Sequence, residues 1–187
     1  MKKKKSSKSL PDRRLLRNLM KKHYTIPVFV PHKGCPNSCV FCNQKTISGS
    51  VKELTPQEVR ETLQKAVGDG VDPKNTEIAF FGGSFTAIRR DYMISLLEEA
   101  KPFIENENFC GIRISTRPDA IDDEILSILK EYKVTSIELG AQSTDPQVLL
   151  LNHRGHTRDD IIKASRLIKE KGFSLGLQMM TGLLGDT

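Results

Sequence analysis

Three cysteines lie within eight residues in the segment HKGCPNSCVFCNQ, at Cys35, Cys39 and Cys42. The chain has four cysteines in all, and the fourth, Cys110, stands alone next to an apolar run, where we expect a small buried side chain. Thiolates are soft ligands that select zinc or iron–sulfur clusters. The clustering differs from the spread, paired cysteines of a disulfide-stabilised secreted domain. We therefore expect a metal centre in a reducing compartment, the cytoplasm.

Two kinds of metal centre are compatible with these cysteines. A structural zinc site needs four protein ligands, usually in two separated pairs, and here His32 is the candidate for the fourth. A four-iron cluster held by three cysteines keeps one iron free to bind a small molecule. The spacing favours this open iron, because a zinc site would take all four ligands from one tight loop. The zinc alternative is a non-catalytic module whose basic tail binds nucleic acid.

Positive charge is concentrated at the N-terminus. The chain of 187 residues has a net charge of +6, and residues 1–33 contain eleven Lys and Arg against one acid, Asp12. Because a block of like charges cannot build a core, we expect residues 1–23 to be a disordered leader. The alternative is an arm that adds salt-dependent affinity for RNA. The apolar residues after this block are too few and too interrupted for a signal peptide or membrane span, so no membrane partner is expected.

Residues 24–187 predict one domain in which strands alternate with helices. Apolar runs predict five strands, at residues 26–30, 77–81, 111–115, 136–140 and 174–179. A capping box at Thr55 and Glu58 starts the first helix, and Asp122 and Thr157 cap later ones. Each strand ends in a polar or glycine-rich loop, as in a parallel barrel-like sheet that carries its site on that rim.

The cysteine segment resembles the signature of the radical S-adenosylmethionine (SAM) enzymes. Their CxxxCxxC motif follows the first strand directly and has an aromatic residue before the last cysteine, as Phe41 precedes Cys42 here. The resemblance implies that Cys35, Cys39 and Cys42 hold a four-iron four-sulfur (4Fe-4S) cluster, whose open iron chelates SAM. It also implies an electron donor such as flavodoxin or ferredoxin, and cleavage of SAM to a 5′-deoxyadenosyl radical.

Three more segments resemble the SAM-binding loops of that family. FFGGSF at 80–85 is similar to the glycine-glycine-acid motif that meets the SAM ammonium, with Ser84 in place of the acid. ISTRPD at 114–119 and ELGAQS at 138–143 are similar to the segments that hold the ribose and the methionine part. Together with the branch pattern below, the resemblance implies these SAM-contacting residues: Phe41, Gly82, Gly83, Ser84, Ser115, Gln142 and Arg154.

Within the family, the chain resembles the branch of oxygen-independent coproporphyrinogen oxidase and the Elongator catalytic subunit. In that branch a Gln and an Arg twelve residues later contact SAM, a separation shared by Gln142 and Arg154. NHRGHT at 152–157 is similar to the Elongator-type NRGHT. GLLGDT at 182–187 is similar to GLPGDT, with Leu184 replacing the proline. The branch implies modification of RNA as the analogous activity.

The resemblance predicts an α/β fold, a partial parallel (β/α) barrel of the radical SAM type. The family barrel has six βα units, and the sequence supplies five, so we expect a truncated core over residues 24–187 without its sixth unit. The expected function is binding of a 4Fe-4S cluster and SAM and generation of a radical for a substrate that the sequence does not identify. A folded remnant without activity is the remaining alternative.

Overall fold

The computed structural model describes residues 23–31, 39–42 and 52–186. Five strands form one open sheet in the order β1-β2-β3-β4-β5, and every neighbouring pair is parallel. The strands are β1 Tyr24–Phe29, β2 Thr76–Phe81, β3 Gly111–Thr116, β4 Val134–Gln142 and β5 Ser174–Met179. Parallel strands in chain order with intervening helices are the partial (β/α) barrel that the sequence predicted.

Between the strands, the described residues form five α-helices. They are α1 Pro56–Gly68, α2 Arg90–Glu105, α3 Asp123–Glu131, α4 Pro146–Leu151 and α5 Arg158–Glu170. The predicted helix starts are confirmed: Thr55 and Thr157 each form a capping box, and the Asp122 side chain accepts from the Ile125 amide. None of the helices in the described parts of the chain has the length and apolar character needed to cross a membrane.

The hydrophobic core lies between the sheet and the helices. Because side chains alternate along a strand, residues two apart share a face. The fully buried residues that the strands contribute on the helix side include Ile78, Phe80, Ile112, Ile114, Ile137 and Leu139. They pack with fully buried helix residues that include Leu63, Met93, Leu97 and Leu126. Burying a side chain of this size contributes about 1.5 to 3 kcal/mol, so this face is the main source of stability.

The opposite face of the sheet is polar. Glu77, Arg113 and Glu138 come from three consecutive strands and form an ionic ladder: Arg113 Nε lies 2.7 Å from Glu77 Oε2, and its Nη1 lies 2.5 Å from Glu138 Oε1. Gln178 of β5 donates to Glu138 Oε2 at 2.8 Å. At the other end of the ladder, His23 Nε2 lies 3.3 Å from Glu77 Oε2. The ladder thus ties β2, β3, β4 and β5 together on the side away from the helices.

The expected leader falls almost entirely outside the described residues. Of residues 1–23, only His23 is described, and it contacts Glu77 as given above. Within the core, residues 32–38 and 43–51 and the last residue, Thr187, are also outside the described residues.

Candidate active site

A cleft of about 300 Å³ opens at the carboxyl ends of the strands. All nine predicted site residues that the structure describes line it: Cys39, Phe41, Cys42, Gly82, Gly83, Ser84, Ser115, Gln142 and Arg154. They come from the carboxyl ends of β3 and β4, from the segments that follow β1 and β2, and, for Arg154, from the segment after α4. Cys35, the third predicted cluster ligand, and His32, the alternative zinc ligand, lie outside the described residues.

Residues 39–42, here called the cysteine loop, form one wall of the cleft. Cys39 and Cys42 belong to a single turn, closed by a 3.0 Å hydrogen bond from the Cys42 amide to the Cys39 carbonyl. Cys39 is buried and Cys42 is partly exposed. The Cys39 thiol donates to the carbonyl of His153 at 3.6 Å, and Nη1 of Arg154 donates to the Cys39 sulfur at 3.3 Å. The loop is therefore held against the segment that follows α4.

The glycine pair after β2 forms the second wall. Gly82 has φ +114°, and a Cβ at this position would lie 2.5 Å from the Val30 carbonyl oxygen and 2.8 Å from the Phe29 ring. The backbone conformation and the close approach both require glycine. The neighbouring amide of Val30 donates to the Phe81 carbonyl at 2.7 Å. This contact holds the end of β1, which precedes the cysteine segment in the sequence, directly against the end of β2.

The third wall is built around Gln142 and Arg154. Gln142 adopts φ +66° at the end of β4, where the pairing with β5 is irregular. A left-handed conformation is uncommon for a residue other than glycine and is often found at functional sites. Nη2 of Arg154 donates to the Gly140 carbonyl at 2.6 Å, and its guanidinium lies 5.5 Å from the centre of the Phe41 ring. Arg154 thus links β4 to the cysteine loop.

Gly140 leaves room for the two side chains of this wall. A Cβ there would lie 3.2 Å from Gln142 Nε2 and 3.6 Å from Arg154 Nη2. Below them, His156 is buried, and its Nε2 lies 3.3 Å from the Ala141 carbonyl oxygen, to which it can donate. Burial lowers the pKa of His156, and the positive charge of Arg154 lowers it further, which favours the neutral imidazole. A neutral His156 with a proton on Nε2 supports the chain segment that presents Gln142.

The cleft has a positive electrostatic character. Among its described lining residues, Arg117 and Arg154 are cationic and none is a carboxylate. Arg117 is partly balanced by Asp119, whose Oδ1 lies 2.9 Å from its Nε. Two guanidinium groups beside two cysteines suit anionic ligand groups, such as a carboxylate or a metal centre with thiolate ligands.

Further lining residues were not predicted individually. Among them, Arg117 and Gly140 lie within the segments ISTRPD and ELGAQS, whereas Gln178 lies outside every motif. Gln178 is coupled to the predicted site, because Glu138 Oε2 accepts from it and also lies 3.4 Å from Ser115 Oγ. The alternation of β5 was the available signal for Gln178, since it places this residue on the face away from the helices.

The expectation that Cys110 is buried is wrong. Cys110 is exposed, because it precedes β3 at the end of the sheet away from the cleft, and its thiol donates to the Thr76 carbonyl at 3.0 Å. It therefore takes no part in the candidate site.

Known proteins resemble this chain over most of its length. Residues 29–187 match the Radical SAM superfamily. A tRNA uridine(34) acetyltransferase from Methanocaldococcus infernus is 26% identical over 195 residues, which cover 87% of this chain and 36% of that protein. The oxygen-independent coproporphyrinogen-III oxidase-like protein HemZ from Bacillus subtilis is 26% identical over 175 residues, covering 86% of this chain and 34% of HemZ.

A solved structure shows the same fold. The archaeal Methanocaldococcus infernus Elp3 with an N-terminal deletion matches with a TM-score of 0.63 and 22% identity, over 89% of this chain and 39% of that one. This chain thus spans between 34% and 39% of the length of these three proteins. The resemblance to the branch of Elongator and coproporphyrinogen oxidase proteins is confirmed. With its sheet, its rim cleft and a family match that runs from residue 29 to residue 187, the chain belongs to the radical SAM superfamily.

Proposed function

We propose that this chain binds a 4Fe-4S cluster through Cys35, Cys39 and Cys42 and binds SAM in the adjoining cleft, to generate a 5′-deoxyadenosyl radical. The observation that carries the proposal is the convergence of the predicted site residues. The carboxyl ends of the strands and the segments that follow them bring two of the three cysteines and all seven predicted SAM contacts to one cleft of about 300 Å³. The parallel sheet brings the carboxyl ends of its strands to one edge, and the residues that line the cleft there include those that the motifs predicted.

The described residues fit such a cofactor. Cysteine sulfur atoms are the usual ligands of iron–sulfur clusters. Cys39 is buried beside the Arg154 guanidinium, and no carboxylate among the described lining residues would compete with a negatively charged cluster. Hydrogen bonds to the sulfur atoms and burial are two ways in which a protein sets the reduction potential of a cluster.

Each wall of the cleft contributes differently to SAM binding. Held by Cys35, Cys39 and Cys42 and reduced by a flavodoxin- or ferredoxin-type donor, a cluster would supply the electron for reductive cleavage of SAM to methionine and the 5′-deoxyadenosyl radical. Arg154 can pair with the SAM carboxylate through its planar guanidinium, and the amide nitrogen of Gln142 lies, like Arg154 Nη2, close to Gly140. Gly82 and Gly83 permit close approach of the methionine part to the backbone. Ser84 is neutral, so ammonium binding here relies on backbone carbonyls rather than on a carboxylate.

The aromatic side chains keep water from the reacting atoms. Phe41 and Phe81 both line the cleft, and Phe41 also packs against Arg154. An apolar wall beside the cofactor limits access of water to a reactive radical. Exclusion of solvent is thus the contribution that we assign to Phe41 and Phe81.

RNA is the substrate class that we propose. Two observations support it: the relative from Methanocaldococcus infernus is named a tRNA uridine(34) acetyltransferase, and residues 1–33 carry eleven Lys and Arg with one acid. A dense block of positive charge provides salt-dependent affinity for a phosphate backbone. Deletion of residues 2–22 should lower RNA affinity and flatten its dependence on salt, as measured by filter binding. Unchanged binding would contradict this part of the proposal.

The test of the cofactor assignment is anaerobic purification and reconstitution with iron and sulfide. We expect about four irons per chain, and a reduced electron paramagnetic resonance spectrum that changes when SAM is added. Replacing Cys35, Cys39 and Cys42 by Ala should abolish both, whereas Cys110→Ala is the matched control that keeps them. A colourless protein that binds zinc, and loses it on His32→Ala, would overturn the assignment in favour of the zinc module. SAM binding without formation of 5′-deoxyadenosine under strong reductant would identify an inactive remnant.

A further inference from the structure

Asn152 is buried at the end of α4 and forms hydrogen bonds to Val40, Val148 and Leu184. Only 2% of its surface is exposed. Its backbone carbonyl accepts from the Val40 amide of the cysteine loop at 3.3 Å. Its side-chain Nδ2 donates to the carbonyls of Val148, at 2.7 Å, and Leu184, at 2.9 Å. Its Oδ1 accepts from the Leu184 amide at 3.3 Å.

These bonds join three segments that are separate in the sequence. They are the cysteine loop at 39–42, helix α4, and the segment after β5 at 180–186, here called the β5 loop. The β5 loop also has bonds of its own, because Asp186 Oδ2 accepts from the Gly182 amide at 2.8 Å. The β5 loop therefore reaches Asn152 as a closed turn rather than as an extended strand end.

The next two residues reinforce the link to the cysteine loop. The carbonyl of His153 accepts from the Cys39 thiol, and Arg154 donates to the Cys39 sulfur. Three consecutive residues, 152 to 154, thus each contact the cysteine loop. Of the three, Asn152 alone is also hydrogen-bonded to the β5 loop within the described residues.

We propose that Asn152 is a positioning residue that couples the cysteine loop to the β5 loop, so that order in one stabilises the other. The inference rests on the proposed function only for the claim that the coupled loop carries the cluster. The amide side chain suits this role because it combines two donors and an acceptor on one planar group. Asp at this position would lack both donors and would repel two carbonyl oxygens, and Ala would leave those buried groups unpaired.

Leu184 gives the coupling a feature specific to this chain. The Leu184 carbonyl accepts from Asn152 Nδ2, and the Leu184 backbone amide donates to Asn152 Oδ1, so two hydrogen bonds join the two residues. A proline at position 184 would keep the carbonyl and lose the N–H. Leu184→Pro thus removes one of the bonds between the β5 loop and Asn152 through a substitution at an exposed position, with the Asn152 side chain and the core residues unchanged.

Amide hydrogen exchange of the full-length chain without metal tests the coupling directly. In Asn152→Asp the side-chain donors to Val148 and Leu184 are lost, so peptides that cover the β5 loop should exchange roughly tenfold faster than in the wild type. The bond from Val40 to the Asn152 backbone carbonyl is kept, but peptides that cover the cysteine loop should also exchange faster, because the backbone that accepts this bond is held less firmly. In Leu184→Pro, the β5 loop and, to a smaller extent, the cysteine loop should exchange faster. Peptides from β2 and β3 should be unchanged in both variants. The matched control is Asn106→Asp, because Asn106 also ends a helix, α2, but is exposed.

Iron release gives a second readout on the reconstituted protein. Transfer of iron to a chelator should be faster in Asn152→Asp and Leu184→Pro than in the wild type and Asn106→Asp. If the wild type binds no iron, the proposed function fails, and hydrogen exchange still decides the coupling. If the β5 loop loosens in both variants while the cysteine loop exchanges as in the wild type, the coupling is overturned. If Asn152→Asp does not fold, the result for Leu184→Pro decides in the same way.

Discussion

On the helix-covered face of the sheet, Ile114 and Leu139 are fully buried among apolar side chains, whereas on the other face their chain neighbours Arg113 and Glu138 form an ion pair. A step of one residue along a strand moves from the core to the polar side. The polar side continues at its upper end into the cleft, through Ser115 and Gln178. Stability and ligand binding are therefore assigned to alternate residues of the same strands, and single substitutions can separate them.

Phe80 and Phe81 provide the sharpest test of this separation. Phe80 is fully buried and stacks on Phe85 with ring centres 4.7 Å apart, while Phe81 is partly exposed in the cleft. Phe80→Ala should lower the free energy of unfolding by about 3 to 5 kcal/mol, the usual loss for a buried aromatic side chain. Phe81→Ala should cost clearly less stability and weaken SAM binding. Urea unfolding and equilibrium dialysis measure the two quantities, and equal losses of stability would contradict the separation.

Gly82 marks the point where β2 passes from the core to the cleft. Gly82→Ala should cost about 2 to 3 kcal/mol, because a positive φ is combined with a clash against the Val30 carbonyl. Gly70→Ala is the matched control: it has φ +77° but nothing within 4 Å of the added Cβ, so about 1 kcal/mol is expected. Thermal unfolding compares the two. A similar cost for both variants would mean that the contact with β1 does not constrain Gly82.

A substitution in the ionic ladder should lower the free energy of unfolding less than Phe80→Ala or Gly82→Ala does, but it should also weaken SAM binding in the cleft. Glu138→Gln should cost about 1 to 2 kcal/mol, because Arg113 loses one of two charged partners at a site that water partly reaches. SAM binding should also weaken, since Ser115 and Gln178 lose the carboxylate that they share. Glu99→Gln, which removes a surface partner of Arg60, is the control and should cost under about 1 kcal/mol with no change in SAM affinity. Unfolding and dialysis would again separate the effects; unchanged SAM affinity in Glu138→Gln would argue against the link.

The smallest effect on stability is expected at the helix caps, such as the capping box that begins α1. The Thr55 amide, with Lys52, lowers the pKa of Glu58 from 4.5 to about 2. Because the folded-state pKa is below the unfolded one, this carboxylate stabilises the fold above about pH 4.5, and its contribution is lost as the pH falls towards 2. As the pH falls from 4.5 to about 2, the free energy of unfolding of Glu58→Gln should therefore decrease less than that of the wild type. Urea midpoints between pH 2 and 7 would test this, with SAM affinity at neutral pH unchanged as the control; parallel pH curves would rule it out.

Local sequence signals located the elements of the fold but not all of their ends. The strand predicted at residues 174–179 is β5 as observed, and the caps at Thr55, Asp122 and Thr157 were found because capping depends on neighbours in the chain. By contrast, β4 runs over Val134–Gln142 rather than residues 136–140. Its extra residues are held by pairing with β3 and β5, and a run of apolar residues does not reveal such pairing.

Sequence motifs predicted most residues of the candidate site. The contacts and conformations that the motifs did not predict depend on strand register. The cysteines, the glycine pair and the spacing of Gln142 and Arg154 are sequence patterns. Glu77, Arg113 and Glu138 form the ladder as diagonal neighbours. Arg113 pairs in register with Ala79 and Ser136, each two residues from the carboxylate that it contacts. No periodicity within one strand encodes this register. The positive φ of Gln142 arises in the same way, at the irregular pairing of β4 with β5.

The contacts between Cys39 and the segment after α4 span most of the chain. Cys39 is separated by 114 residues from His153 and by 115 from Arg154. Closing a segment of this length costs more loop entropy than closing a local turn. During synthesis the cysteine loop leaves the ribosome well before Arg154. The cluster proposed for this loop would therefore gain the guanidinium beside Cys39 only once the chain has folded.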